Sequence, residues 1–167
     1  MSATEEGRRV AESRTQLVQW MGIGHANSAG FIHGGSVMKL ADEAAGVVAV
    51  KHSHCRVVTA GVDRMTFLEP VNVGELLTLS ASVNAVWRTS MEVGVRVEAE
   101  NPRTGQRRHT STAYFTMVAL GDDGLPKPVP PLVAETADER RREAEAQLRR
   151  SNRLRERDEL LRQRAGV

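Results

Sequence analysis

The sequence predicts an α+β layer architecture, with one apolar helix packed against a single antiparallel sheet that curls around it. Three observations carry this. Apolar residues recur with helical period over residues 35–52. The period then switches to two and stays there to residue 120. The helical stretch is apolar over a wider arc than one sheet face requires, so it is wrapped on most sides.

The elements follow in order. Residues 1–11 are polar and read as a flexible N-terminus. Thr15 to Met21, with Leu17, Val18 and Trp20, reads as a first strand. Gly22, Gly24, Asn27 and Gly30 then break the chain into a loop. On the helix from Gly35 to His52, Val37, Leu40, Ala41, Ala44, Ala45, Val47 and Val48 form the apolar arc, with Lys39, Glu43 and Gly46 opposite. Val57 to Leu68 is rich in β-branched residues and reads as one strand, closed by Pro70 and Gly74. Leu77 to Trp87 and Met91 to Ala99 alternate as half-buried antiparallel strands, joined by a hairpin at Arg88-Thr89-Ser90. Asn101 to Gly105 is a turn, and Gln106 to Leu120 returns as the last strand. The expected pattern is strand, helix, then four strands in meander, about five strands in all.

Four prolines between Pro126 and Pro131 make an extended bridge. Residues 133–167 are dominated by Arg and Glu, with favourable pairs Asp138/Arg142, Glu145/Arg149 and Asp158/Arg162. Leu148, Leu154 and Leu161 are too sparse a seam for a coiled coil. This charged tail therefore reads as a solvated, fraying helix, an appendage rather than a docking helix. The domain proper spans residues 12–132.

Composition narrows the function. Aromatics are 4% of the chain, so the core is built from Val, Leu, Ala and Met, and a small-residue core often goes with assembly between subunits. A net charge of +2 gives no reason to expect nucleic-acid binding. A single cysteine, Cys55, leaves no partner for an intrachain disulfide and suits a reducing compartment. No apolar run is long enough to span a membrane, and no basic segment precedes an apolar one, so a cytoplasmic protein is expected. His52-Ser53-His54-Cys55 only superficially resembles a metal cluster, and HExxH, CxxC, GxSxG, P-loop and GxGxxG patterns do not occur.

The stretch Asn27 to Gly46 is where chemistry can concentrate. The leading N–H groups of a helix lack internal partners and carry partial positive charge. At Gly34 and Gly35 a ligand oxygen can approach those amides closely. The pair can bind a carbonyl and stabilise the oxyanion formed from it, or it can simply allow a tight loop-to-helix turn. Asp42 falls at the flank of the buried arc and Glu43 about 100° away on the solvated side. Asp42 is the better placed of the two to act as a base, although a buried Asp can also serve only to bond a neighbouring loop. Asn27 can orient a water or a carbonyl, or it can be a turn residue.

Asn27-x-x-Gly30-x-x-His33-Gly34-Gly35-x-x-Met38-x-x-x-Asp42-Glu43-Ala44-Ala45 resembles the signature of the hotdog-fold acyl-CoA thioesterases, the cytosolic and brain-type acyl-CoA hydrolases and their bacterial relatives. Further blocks match in order: Val57-Val58-Thr59-Ala60-x-Val62-Asp63, Phe67, Ser90-Met91-Glu92-Val93, Ala113 to Val118, Leu125-Pro126 and Val129-Pro130-x-Leu132. The resemblance implies a single hotdog fold, a long central helix wrapped by a curved sheet. It implies hydrolysis of acyl-CoA to free CoA and a carboxylic acid. It also implies a homodimer with shared active sites, assembled as a hexamer (a trimer of dimers). Asn27 and Asp42 become the catalytic pair, contributed by opposing subunits, and the amide of Gly35 (or Gly34) holds the thioester carbonyl. Arg88, Thr89 and Ser90 match the region that meets the CoA phosphates, with Arg56 and Arg64 as other basic candidates. No metal or prosthetic cofactor is implied, since coenzyme A belongs to the substrate. A non-catalytic acyl-CoA-binding sensor is the alternative. It is disfavoured by the presence of both Asn27 and Asp42 and by the lack of a DNA-binding segment. An enoyl-CoA hydratase would need an Asp partner for His33 on the loop before the helix.

Overall fold

A computed structural model describes residues 6–166. The elements are β1 (Arg8–Arg9), α1 (Val10–Ser13), β2 (Thr15–Trp20), α2 (Gly34–Ser53), β3 (Arg56–Val62), β4 (Thr66–Phe67), β5 (Leu76–Val86), β6 (Ser90–Glu100), β7 (Arg107–Leu120), β8 (Leu132–Val133) and α3 (Ala137–Ala165). The main sheet runs β2-β5-β6-β7-β3, all antiparallel, with β4 also paired to β7. It curls around α2. The inward residues of β5, β6 and β7 (Leu77, Leu79, Val93, Val95, Phe115 and Met117 among them) meet Val37, Ala41, Ala44, Ala45 and Val48 of the helix. Along β5, β6 and β7 the apolar residues alternate and face α2, while the polar residues between them lie on the convex face, where Ser82, Asn84 and Glu92 are buried as well.

Four expectations are corrected. The second predicted strand is two, β3 and β4, with a register shift between Thr59 and Gly61. Nor does that stretch begin a four-strand meander. β3 crosses to the far side and pairs with β7, so the meander is β5-β6-β7 and β3 is a sheet edge. The apolar arc of α2 is narrower than expected: Val47 is exposed, as are Met38 and Val50, because the sheet covers one side of the helix only. The residues expected to be a loose N-terminus divide, with 1–5 lying outside the described residues. Arg8 and Arg9 pair with Leu132 and Val133, and Val10 is buried. The Arg8 guanidinium also donates to the His52 carbonyl at 2.6 Å, a cation placed on the negative end of α2.

The charged tail differs most from expectation. α3 is a continuous 29-residue helix, capped by Thr136, that lies on the convex face of the sheet. Its contact face is Glu139, Arg142, Ala146, Arg149 and Arg153, spaced three or four apart. Arg149 donates to the fully buried Glu92 at 2.7 Å and stacks over the Tyr114 ring at 3.6 Å. Asn84 donates to the same Glu92 carboxylate, and Arg153 reaches Asp63 at 2.6 Å. Charge pairs therefore hold this helix, and leucine spacing carries no sign of its docking.

Candidate active site

The loop before α2 is built by backbone pairing and one asparagine. Ala26 bridges Ile32, and Phe31 bridges Asn72. The Asn27 Oδ1 accepts from the N–H groups of Ala29 and Phe31, at 2.9 and 3.2 Å. That is the turn role expected as one alternative. Asn27 also lines a cleft of about 320 Å3 together with Phe31, Gly34, Val37, Phe67 and Val71. One residue thus shapes the loop and faces the cleft. The cleft is walled mainly by apolar side chains and opens at the start of α2.

At that helix start His33 is the N-cap, and its Nδ1 accepts from the Gly35 N–H at 2.9 Å. Gly35 therefore has its amide committed within the chain. The Gly34 N–H makes no hydrogen bond among the described residues and is the free donor of the pair. The Phe67 ring packs against Gly34: a Cβ there would lie 3.4 Å from Phe67 Cζ. The glycine keeps the path to the amide open beside the ring.

Asp42 lies eight residues further along α2, an axial rise of about 12 Å. Its Oδ1 accepts from the Thr59 hydroxyl of β3 at 2.6 Å, and its side chain is half-buried. The contact of Thr59 with the Asp42 carboxylate is the feature of this stretch that sequence reasoning missed. A Thr in a β-branched strand carries no signal of its own, and only pairing of the β3 edge beside α2 reveals its contact. Glu43 is exposed and pairs with Lys39 at 3.9 Å, the solvated role expected of it.

The CoA-phosphate candidates sit elsewhere in the chain. Arg88 is exposed, while Thr89 and Ser90 are half-buried. The hairpin is anchored by its backbone, the Ala119 N–H donating to Thr89 O and the Val129 N–H to Arg88 O. Met91, Met117 and Thr59 are consecutive partners across β6, β7 and β3. That register puts the hairpin at the Asp42 end of the molecule, away from Gly34. Arg56 and Arg64 are exposed, and neither pairs with a carboxylate among the described residues. No cluster of three or more His, Cys, Asp or Glu suited to a metal occurs among the described residues. No helix of the described residues is long and apolar enough to cross a membrane.

Comparison with known proteins gives a consistent result. Residues 29–106 match the Thioesterase superfamily model. The chain is 38% identical over 139 residues to the cytosolic acyl coenzyme A thioester hydrolase of Mus musculus, covering 82% of this chain. It spans only 36% of that relative's length. It is similar to a hexameric acyl-CoA thioesterase of known structure, with 38% identity, a TM-score of 0.87 and coverage of 90% of this chain and 97% of the other. It is also similar to an acyl-CoA hydrolase from Staphylococcus aureus in complex with butyryl coenzyme A, coenzyme A and coenzyme A disulfide. That match has 30% identity, a TM-score of 0.86 and coverage of 93% of this chain and 94% of that one. Structures of the S. aureus enzyme with an asparagine, an aspartate or a threonine replaced by alanine match as well, with TM-scores of 0.89, 0.87 and 0.86.

Proposed function

The chain belongs to the thioesterase superfamily, and from that premise we propose that it hydrolyses acyl-CoA to free CoA and a carboxylic acid in an active site completed by a second copy of itself. One observation carries the proposal: the cleft at the start of α2 and the Asp42 carboxylate are separated by about 12 Å of helix within one chain. Asn27 and Gly34 share the cleft at the helix start. Asp42 stands about 12 Å along the same helix, too far for a water that must touch both the carboxylate and a carbonyl held on the Gly34 amide. A twofold partner removes the gap by placing its own Asp42 opposite the first chain's Asn27. The exposed β3 edge, with Val58 and Val62, and the exposed Met38, Val47 and Val50 of α2 are the surfaces such a partner would cover.

The thioester carbonyl accepts from the Gly34 N–H, at the positive end of α2, and the developing oxyanion is stabilised there. Asp42 of the partner subunit takes the proton of a water while Asn27 orients it. The water oxygen bonds to the carbonyl carbon, the C–S bond breaks, and the thiolate leaves without a dedicated acid. The same carboxylate can instead attack directly and form an acyl-Asp anhydride, which water then opens. Thr59 fixes the Asp42 carboxylate in either route. The S. aureus variants at an asparagine, an aspartate and a threonine involve the same three residue types. The hairpin Arg88-Thr89-Ser90 meets the CoA phosphates from the Asp42-bearing subunit, Arg being suited to phosphate. Assembly as a trimer of dimers and a cytoplasmic location complete the proposal, supported by the hexameric neighbour and by the mouse relative's name. The chemistry needs no metal or prosthetic group beyond the side chains and amide named.

Thiol release from acyl-CoA, followed with a chromogenic reagent, tests the proposal. Asp42→Ala should abolish release while leaving assembly intact. Near-normal turnover in that variant would refute the mechanism. Saturable acyl-CoA binding without release by the unaltered chain would favour a sensor.

A further inference from the structure

The sheet register fixes the direction of α3. Ser82, Gly94 and Tyr114 are consecutive cross-strand partners on β5, β6 and β7, and the Asp63 N–H donates to Tyr114 O to extend the row past the end of β3. α3 follows this row: Arg142 reaches Ser82, Arg149 lies over Tyr114, and Arg153 ends on Asp63. The helix therefore crosses the strands from β5 to the β3 side and arrives at the free edge at residue 153. It does not stop there. Residues 154–165 add a further ~18 Å, which is the width of three to four strands. Every side-chain hydrogen bond or ion pair they make with a described residue stays within the helix. This overhang carries Leu154, Leu160 and Leu161, left 38, 45 and 55% exposed. Leu154 and Leu161 stand seven apart on one side, and Leu160 lies about 100° round the helix from Leu161.

The same edge presents a bare convex surface. Val58 pairs with Val118 and Gly61 with Thr116, strand neighbours of the inward Met117 and Phe115, so both face the α3 side. Val58 is 46% exposed there, and a Cβ on Gly61 would touch nothing.

We infer that the overhang, residues 154–165, is a clasp that crosses the subunit seam and packs its leucines on the convex face of a second copy of this chain. The inference rests on the reading of β3 as the seam. Under a twofold axis at that edge each chain's overhang projects over its partner's β3, so the contact is made twice per dimer. The tail then has a task beyond the domain that carries it, since it ties together the two chains that share each active site.

A chain ending at Arg153 keeps every side-chain hydrogen bond, ion pair and cation-π contact that α3 makes with its own sheet among the described residues. The full chain with Leu154→Gln, Leu160→Gln and Leu161→Gln keeps the helix, because Gln is a good helix former. Sedimentation equilibrium across a dilution series reads the dimer dissociation constant of each. Both variants should raise it by about tenfold or more relative to the full chain. Unchanged dimer dissociation in both would overturn the clasp. So would a hexamer that falls to dimers whose own dissociation is unaltered, because the overhang would then join dimers to each other. Thiol release by the full chain is measured in the same samples. Dissociation that depends on the overhang, with no thiol release, would support the clasp and refute the hydrolase.

Discussion

Arg149→Leu is expected to destabilise the protein by about 3 kcal/mol, through the carboxylate it leaves behind rather than the charge it removes. Glu92 is fully buried beneath α3, and Arg149 supplies three of its short contacts, at 2.7, 3.1 and 3.2 Å. Burial works against the charged Arg149, and its bonds to Glu92 outweigh that, holding the guanidinium above its ordinary value. Breaking a buried pair on one side typically costs about 3–5 kcal/mol, because the other charge stays desolvated. The lower end applies here, since Asn84 still donates at 3.1 Å and Arg153 stands 3.7 Å away. For a chain of this size about 3 kcal/mol lowers Tm by roughly 6–12 °C. Thermal and urea unfolding of Arg149→Leu, Glu92→Leu and the double variant measure it. The double variant should regain most of the loss, because an apolar pair of similar volume carries no stranded charge. A single variant within about 1 kcal/mol of the parent, or a double variant no better than Arg149→Leu, would refute the reasoning.

Two further outcomes are expected. Thr59→Val keeps the strand and the shape but removes the 2.6 Å bond to Asp42, so kcat should fall roughly 10- to 100-fold with little change in Tm; an unchanged kcat would remove Thr59 from the site. Burial, the largest influence, holds the His52 ring below its ordinary 6.5, against the raising effect of its bond to Pro130 O. The unfolded chain therefore binds a proton first as pH falls through that ordinary value, and stability should decline from pH ~7 toward ~5. His52→Gln should flatten that decline in denaturant titrations, and an equally steep decline in the variant would exclude His52 as its source.

Much of this was legible in the sequence, for identifiable reasons. β5, β6 and β7 alternate in sequence because the face toward α2 takes only apolar residues while the other face takes polar ones, and their bounds fell within a residue or two of prediction. Helical angle placed Asp42 nearer the buried arc than Glu43, and the family resemblance chose Asp42 as the catalytic carboxylate. What was not legible depends on partners distant in sequence. β3 looked like the start of a meander because local pattern cannot say which strand an edge will join. α3 looked solvated because its buried face is arginine and glutamate, whose partners Glu92, Asp63 and Arg14 come from elsewhere in the chain. Gly35 stood ahead of Gly34 as the expected carbonyl donor, and the His33 ring on the Gly35 amide, a contact no sequence pattern announces, is what turns the proposal to Gly34.

Complementation between two inactive chains tests the shared site most directly. Asn27→Ala and Asp42→Ala chains, each inactive alone, are co-expressed in equal amounts and assayed for thiol release. If one subunit supplies Asn27 and its partner Asp42, each mixed dimer holds one intact site and one doubly altered site. Mixed dimers are half of the total, so about a quarter of the parent activity should return. If Asn27 and Asp42 of one chain served the same site, no dimer would contain an intact one. Activity no higher than that of either variant alone would then contradict the account.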